Sequence, residues 1–479
     1  MVPHASDPVA SEARLRAVIR RNLIWLGTAT IGGMVASLVY GILIARYLGP
    51  MDFGRFALVV GVGGMLTSMA QGGGSTALVV LASQDRLGAG RLLWPGAIVQ
   101  GAVGVVIALV SVPIIWALTH DVRLIAPSLI YGIGNLASLL IAVPVSIYRG
   151  LDRMEWGLAP TAASLGVLLL IAVVVSLKLG FVSTIVATAA PQVAVLVFVL
   201  IWSARHLSNG TWTSGLVSRL WSASVALWAV TLVQALHWRV GLLSLQALSG
   251  SHEVGLYSAA AKLVENLRAI PWFVFMAVLP AFVQAGESDH ARLKDLMQRA
   301  LRYALVLAFP LSAILVILAR LVISLLYTSA YEPSVAVLRI GSLALVPLFV
   351  HWVFLNALVS LRMERQLVLV YVIGILVEVA VNALLVPYWG ATGAAGGYVV
   401  GESVVALVGG LYIIGTVGGF TWPPILRAAL PGVLCLLLVA LVPTGLYPVA
   451  WAVAVGGLYV AALFLLRVVS LSELRGLVS

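Results

Sequence analysis

The sequence predicts an all-α polytopic membrane protein of about fourteen transmembrane helices: two six-helix lobes related by a parallel internal repeat, then two appended C-terminal helices. Three observations carry this expectation. The chain is 62% hydrophobic and only 9% charged, where a soluble domain carries about 25% charged residues. Apolar runs long enough to cross about 30 Å of hydrocarbon recur from one end to the other. Passages from the first half also return in the second half at nearly constant offsets.

The spans follow in order. The first runs from about Leu23 to Ala45, is too long for a cleaved leader, and reads as a membrane helix. The others centre near residues 68, 104, 136, 168, 193, 232, 269, 314, 347, 377, 403, 435 and 457. They are rich in Leu, Ala, Val and Gly and lack the period of barrel strands. Backbone in lipid must satisfy its own hydrogen bonds, so they are helices. Residues 1–22 read as a basic cytoplasmic segment, 23–205 as an N-lobe, 219–415 as a C-lobe, 425–467 as the appended pair and 468–479 as a cytoplasmic tail. With the N-terminus cytoplasmic, nineteen of the 28 Lys and Arg fall on the cytoplasmic side. Only Arg46, Arg55, Arg123 and Lys178 fall on the other, a strong positive-inside asymmetry. The expected location is therefore the cell inner membrane, with both termini cytoplasmic.

The repeat explains the two-lobe expectation. Residues 45–64, ARYLGPMDFGRFALVVGVGG, are echoed by residues 246–265, QALSGSHEVGLYSAAAKLVE. Gly49, Asp52, Gly54 and Phe56 answer to Gly250, Glu253, Gly255 and Tyr257 at an offset of 201. Arg153-Met154-Glu155 returns as Arg362-Met363-Glu364, and the turn 178–192 returns as 388–402 at an offset of 210. Spans 1–6 thus recur as spans 7–12 in the same orientation. Parallel repeats of this kind build transporters whose substrate site lies near the bilayer midplane.

Charge inside the spans points to that site. A mid-bilayer charge costs roughly 2.5–3.5 kcal/mol on insertion scales, so those that persist usually face a cavity. Lys262, Glu265 and Arg268 stand at spacing three on span 8 and share one face. Counting about 1.5 Å per residue from Gly255, they sit roughly 10, 15 and 20 Å deep. Arg239 on span 7, Arg339 on span 10 and Arg46 beside the first turn complete a basic candidate set. Glu265, Glu378, Glu402, His237 and Asn382 are read as groups that pair with it or couple an ion. The in-span balance is basic, which favours an anionic cargo, because Arg matches phosphate oxygens. His237 and Arg239 are two residues apart and face different ways. His351 reads as a packing histidine. The Gly72-Gly73-Gly74 run and Pro144, Pro271, Pro280, Pro310 and Pro347 are expected to kink their helices.

Arg46-Tyr47-Leu48-Gly49 with Phe53-Gly54, Val254-Gly255-Leu256-Tyr257, and Asn382-Ala383-Leu384-Leu385-Val386-Pro387 leading to Gly390-Ala391-Thr392-Gly393 resemble polysaccharide-biosynthesis membrane proteins. These are O-antigen-type flippases of the multidrug/oligosaccharidyl-lipid/polysaccharide exporter (MOP) superfamily. The resemblance covers roughly residues 20–415. It implies a flippase that moves an undecaprenyl-pyrophosphate-linked oligosaccharide from the inner to the outer leaflet by alternating access. By the same resemblance, Arg46, Lys262 and Arg268 would meet the pyrophosphate. Such flippases often carry an acid in span 7 where this chain reads His237-Trp238-Arg239.

Other classes fit less well. Each of the three lysines is preceded by Leu177, Ala261 or Leu293, so no Gly-Lys pair exists to build a phosphate-cradling nucleotide loop. Outer loops are too short for the catalytic domain of a membrane polymerase, so no enzyme activity is expected. A multidrug or cation antiporter of the same superfamily would want an acidic cavity. A lipid II flippase shares the span count and the anionic head group. Neither cofactor nor metal is called for, and the formal charge of +11 is spread through membrane loops rather than gathered for nucleic acid. Expected partners are the lipid-linked oligosaccharide, membrane lipids and polysaccharide-assembly proteins. Cys435 is the sole cysteine, so no intrachain disulfide can form.

Overall fold

The computed structural model describes residues 8–207, 214–441, 448–466 and 468. Residues 1–7 and the side chains of Arg14, Arg16 and Arg20 in the expected basic segment lie outside the described residues, as do Arg467 and tail residues 469–479. Among the described residues every regular element is helical. The first five long helices are α1 (Pro8–Gln84), α2 (Leu93–Thr119), α3 (Ile125–Gly150), α4 (Leu158–Ser176) and α5 (Phe181–His206). Next come α6 (Ser214–His237), α7 (Val240–Leu248), α8 (Ser251–Leu267), α9 (Ala269–Ser288) and α10 (His290–Leu326). The chain ends with α11 (Ser334–Leu343), α12 (Leu345–Ser360), α13 (Glu364–Val417), α14 (Trp422–Leu441) and α15 (Pro448–Leu465).

Ten helical stretches among the described residues are long and apolar enough to cross a membrane, or twelve if each of two bent pairs is one span. Two of the ten, Gly27–Gln84 with 58 residues and Glu364–Val417 with 54, are more than twice the ~20 residues a crossing needs. Each passes through a non-helical glycine, Gly49 (φ 72°, ψ 173°) or Gly390 (φ 48°, ψ −129°). The echoed passages share this backbone. Gly250 (φ 82°, ψ −179°) repeats Gly49, and Gly180 (φ 88°, ψ −173°) stands 210 residues before Gly390. A positive φ is open to glycine at little cost and strained for other L-residues, so the repeat preserves the four turns.

Local bonding at those turns has diverged. The Gly180 N–H donates to the Tyr47 phenol oxygen at 2.8 Å. In the second half the Ala391 N–H donates to Glu253 Oε2 at 2.8 Å, which places a carboxylate at the start of a helix. Glu253→Ala is expected to cost about 1 kcal/mol, seen as a small fall in the melting temperature of the purified protein with its insertion unchanged.

The chain forms two compact units, one of Met1–Leu48 with Val59–Ala235 and one of Gly49–Leu58 with Leu236–Ser479. In the first, α1, α2 and α3 pack around buried Leu78, Leu93, Val143, Ile147 and Tyr148. The glycine run at 72–74 does not interrupt α1, whose only non-helical residue is Gly49. These glycines serve packing instead. A Cβ on Gly73 would lie 2.3 Å from the Trp228 ring and 2.5 Å from the Ser224 carbonyl oxygen, and one on Gly74 would lie 2.0 Å from Gln100. The expected kink is therefore corrected to a smooth groove that lets α6 sit close to α1. There Trp228 Nε1 donates to the Ala70 carbonyl at 3.3 Å and Thr231 Oγ1 to that of Met69 at 3.2 Å.

In the second unit the two copies of the repeated passage meet. A Cβ on Gly54 would lie 1.7 Å from the Ser251 carbonyl oxygen, and one on Gly255 would lie 1.9 Å from that of Pro50. The backbones touch, and only glycine at both positions permits it. Pro144, Pro280 and Pro310 lie inside α3, α9 and α10. Pro271 and Pro347 differ: they stand in the first turns of α9 and α12, where proline's missing N–H breaks no helical bond.

Candidate functional site

The site is built on a break in the membrane-embedded backbone. Helix α6 stops at His237 and α7 starts at Val240, and the Arg239 N–H closes a tight turn onto the Leu236 carbonyl at 2.8 Å. The turn sends three consecutive side chains to three destinations. Arg239 Nη1 donates to Glu265 Oε1 at 3.0 Å. Trp238 lies under the Arg268 guanidinium, whose carbon is 4.3 Å from the ring centroid, a cation–π contact that strengthens away from water. His237 is fully buried among carboxylates. The sequence-based reading that His237 and Arg239 face apart matches this geometry.

Arg268 joins α8 to α9 in helical backbone (φ −61°, ψ −21°). Its Nη2 is 4.0 Å from Glu265 Oε2, so one carboxylate bridges two guanidinium groups. The pocket here is small and is lined by Trp238, Tyr257, Glu265, Arg268, Val337 and Tyr398. Lys262 is half-buried one turn before Glu265, and its carbonyl accepts a hydrogen bond from Asn266 Nδ2 at 2.8 Å. Arg339 is also half-buried, on α11 between the pocket residues Val337 and Gly341. Arg46 belongs to the first unit and has an exposed side chain. Arg320, read from sequence as an in-span charge, forms an exposed pair with Glu332 at 2.8 Å.

Next to the pocket lies a second polar group. Glu378, Asn382, Glu402 and His237 are 0% exposed and His351 is 1% exposed. His237 Nδ1 is 3.5 Å from Glu378 Oε2, and its Nε2 is 3.4 Å from Glu402 Oε1. The other Glu402 oxygen is 2.5 Å from His351 Nδ1. These separations are in ion-pair range, yet the atoms are out of line for hydrogen bonds. Glycines make the room: a Cβ on Gly397 would lie 1.9 Å from Asn382 Oδ1, and one on Gly401 would lie 2.8 Å from Glu378 Oε2. Asn382 Nδ2 reaches Ser244 Oγ at 3.3 Å. Among the described residues no group of three or more His, Cys, Asp or Glu is placed to hold a metal ion. Two carboxylates and two neutral imidazoles carry two negative charges, which two protons cancel whichever groups hold them, so the net charge of the cluster is set by how many protons it holds.

The structure thus brings Glu265 and Arg268 to one pocket, with Arg239 bonded to Glu265, and His237, Glu378, Asn382 and Glu402 into one cluster. Both groups hang from the same three-residue break. Sequence reasoning missed Trp238 and Tyr398 as lining residues. It treated His351 as packing, although the ring abuts Glu402. The signal for Trp238 was its place between two flagged residues, while nothing local in the sequence marks Tyr398 or His351.

Comparison with known proteins places this architecture. The model of the family described as polysaccharide biosynthesis protein matches residues 19–285, more than half of the chain. That of the lipid II flippase MurJ matches residues 267–464. A search of curated proteins finds no sequence match. Among solved structures, lipid II flippase MurJ in its inward closed conformation is similar with a TM-score of 0.76 and 15% identity, over 93% of this chain and 99% of that one. A multidrug resistance MATE family transporter in an inward-facing conformation is similar with a TM-score of 0.67 and 17% identity, over 80% of this chain and 94% of that one. A MOP superfamily transporter from Pyrococcus furiosus, described by the reverse polarity of its binding pocket, is similar with a TM-score of 0.61 and 18% identity, over 84% and 95%. On the strength of the family match across residues 19–285, the chain belongs to the polysaccharide biosynthesis protein family.

Proposed function

We propose that the chain flips an undecaprenyl-pyrophosphate-linked oligosaccharide from the inner to the outer leaflet by alternating access, without enzymatic turnover of its cargo. One observation carries the reading: Arg268 lines a half-buried, aromatic-walled pocket, and Arg239 is held beside it through Glu265. A cation stacked on an aromatic face and drawn off its own carboxylate is well prepared for phosphate oxygens. Lys262, Arg339 and Arg46 extend the basic set, and the aromatic walls suit a sugar or isoprenoid stem. Twelve spans with each bent pair counted as one, and the two glycine-broken ones counted twice, make fourteen crossings, an even number that keeps both termini on one face, here the cytoplasmic face of the inner membrane. The carboxylate–histidine cluster beside the pocket is the natural store for a coupling proton.

Charge reversal at Arg268 tests the reading. Arg268→Glu should abolish surface polysaccharide while the protein remains inserted and folded; normal polysaccharide in that variant removes Arg268 from the site. A second reading, a lipid II cargo, is favoured by the MurJ family match over residues 267–464. Complementation separates the two: rescue of polysaccharide export in a flippase-deficient strain supports the first, and rescue of growth in cells lacking their lipid II flippase supports the second. A cation antiporter is disfavoured by the basic pocket.

A further inference from the structure

Glu265 stands between two arginines. Its Oε1 accepts from Arg239 Nη1 at 3.0 Å, and its Oε2 faces Arg268 Nη2 at 4.0 Å. Lys262, one turn earlier on α8, adds a third positive field on the same carboxylate. Tyr257 and Tyr398 are the other ionisable side chains around it and carry no charge as phenols. The side chain is neither locked away nor loose: Glu265 is 24% exposed, Arg239 28% and Arg268 15%. A fully buried pair would be a structural lock, and a surface pair would be screened by water. This one lies between, accessible to an entering ligand yet sheltered enough to hold.

From this geometry we infer that Glu265 is a built-in counter-anion which competes with the cargo's pyrophosphate for Arg239 and Arg268 and drives its release. The inference rests on the anionic-cargo reading above. Three cations around one site bind a pyrophosphate tightly, and a transporter that binds too tightly does not let go. A tethered carboxylate avoids this. It neutralises the arginines when the pocket is empty, yields to the arriving phosphates, and returns to the same nitrogen atoms as they leave. No bond is made or broken; one anion exchanges for another. Glu265 is thus a positioning residue that sets the affinity of the pocket downward, and its removal should strengthen binding while weakening transport.

The experiment uses the purified full chain and inorganic pyrophosphate as the probe, with binding followed by calorimetry. Glu265→Gln is expected to bind pyrophosphate about tenfold more tightly than the wild type, the scale of one close charge pair lost from a site. Its surface-polysaccharide export should fall. Glu265→Asp keeps the charge on a shorter stem and should lie between the two, which covers the case where the glutamine variant does not fold. A merely structural role predicts the opposite pattern, with weaker binding and weaker export together. Equal pyrophosphate affinity in wild type and both variants, with binding lost in Arg268→Ala, overturns the counter-anion role and leaves the anionic pocket standing. No binding to the wild type, and no difference in Arg268→Ala, overturns the pocket reading and this inference with it.

Discussion

Replacing Gly54 by leucine, or Gly255 by valine, should leave little folded protein and no export. A Cβ at Gly54 falls 1.7 Å from the Ser251 carbonyl oxygen, and one at Gly255 falls 1.9 Å from that of Pro50. Neither obstacle is a side-chain tip that could swing away; both are backbone atoms of well-ordered helices. Relief requires the helices to part by more than an ångström, which opens a gap along the neighbouring Phe53, Phe56 and Tyr331 rings. Ordinary overpacking costs about 1–3 kcal/mol, and this case lies at or above the top of that range because the obstacle is backbone. Melting of the detergent-purified variants checks the expectation. Gly64→Ala is the control: a Cβ there meets nothing within 4 Å, and alanine favours a helix by up to about 1 kcal/mol. A Gly54 variant that melts like the control would show that the crossing carries no strain.

The second large effect is expected at Glu402. It is completely buried, with His237 on one oxygen and His351 on the other. Glu402→Ala removes the one group that touches both rings. Breaking a buried pair by deleting one partner typically costs about 3–5 kcal/mol, because the remaining charge must be neutralised or left unpaired. The melting temperature should drop sharply and export should be lost. The double variant Glu402→Leu/His351→Phe separates structure from transport. An apolar pair of similar volume should recover much of the stability, as such replacements of buried ion pairs often do. Export should stay absent if protons in this cluster drive the cycle. Export that returns together with stability would mark the cluster as a lock alone.

Much of the architecture was legible in the sequence because membranes impose one-dimensional rules. Span length, loop charge and the 201-residue echo each report on topology without any contact. The span 8 face was legible for the same reason: spacing of three on a helix fixes which side chains are neighbours, and Glu265 with Arg268 obeyed it. What could not be read were contacts between distant elements. The carboxylate–histidine cluster draws on α6, α12 and both halves of α13, over 165 residues of chain, so His351 looked solitary. The glycine run at 72–74 misled for a related reason. Glycine weakens a helix locally, but a partner helix pressed against it can more than compensate, and the sequence does not say whether such a partner exists. The break at Trp238 left no glycine or proline mark within its own residues, and it proved to hold the site.

The glycine crossing has a genealogical side. Residue 54 touches residue 251 and residue 255 touches residue 50, and subtracting the 201-residue offset turns each contact into the other. Reciprocity of this sort is the signature of an isologous interface, the kind that joins two identical subunits about a two-fold axis. A single polypeptide has no need of it, whereas a gene that once encoded half the molecule and paired with its twin would have had no alternative. Fusion leaves the two surfaces free to drift in principle, yet each glycine here answers to the carbonyl of the other copy, so neither can change alone. The junction has the geometry of a homodimer contact carried within one chain, and a side chain added at either glycine meets the backbone of the other copy.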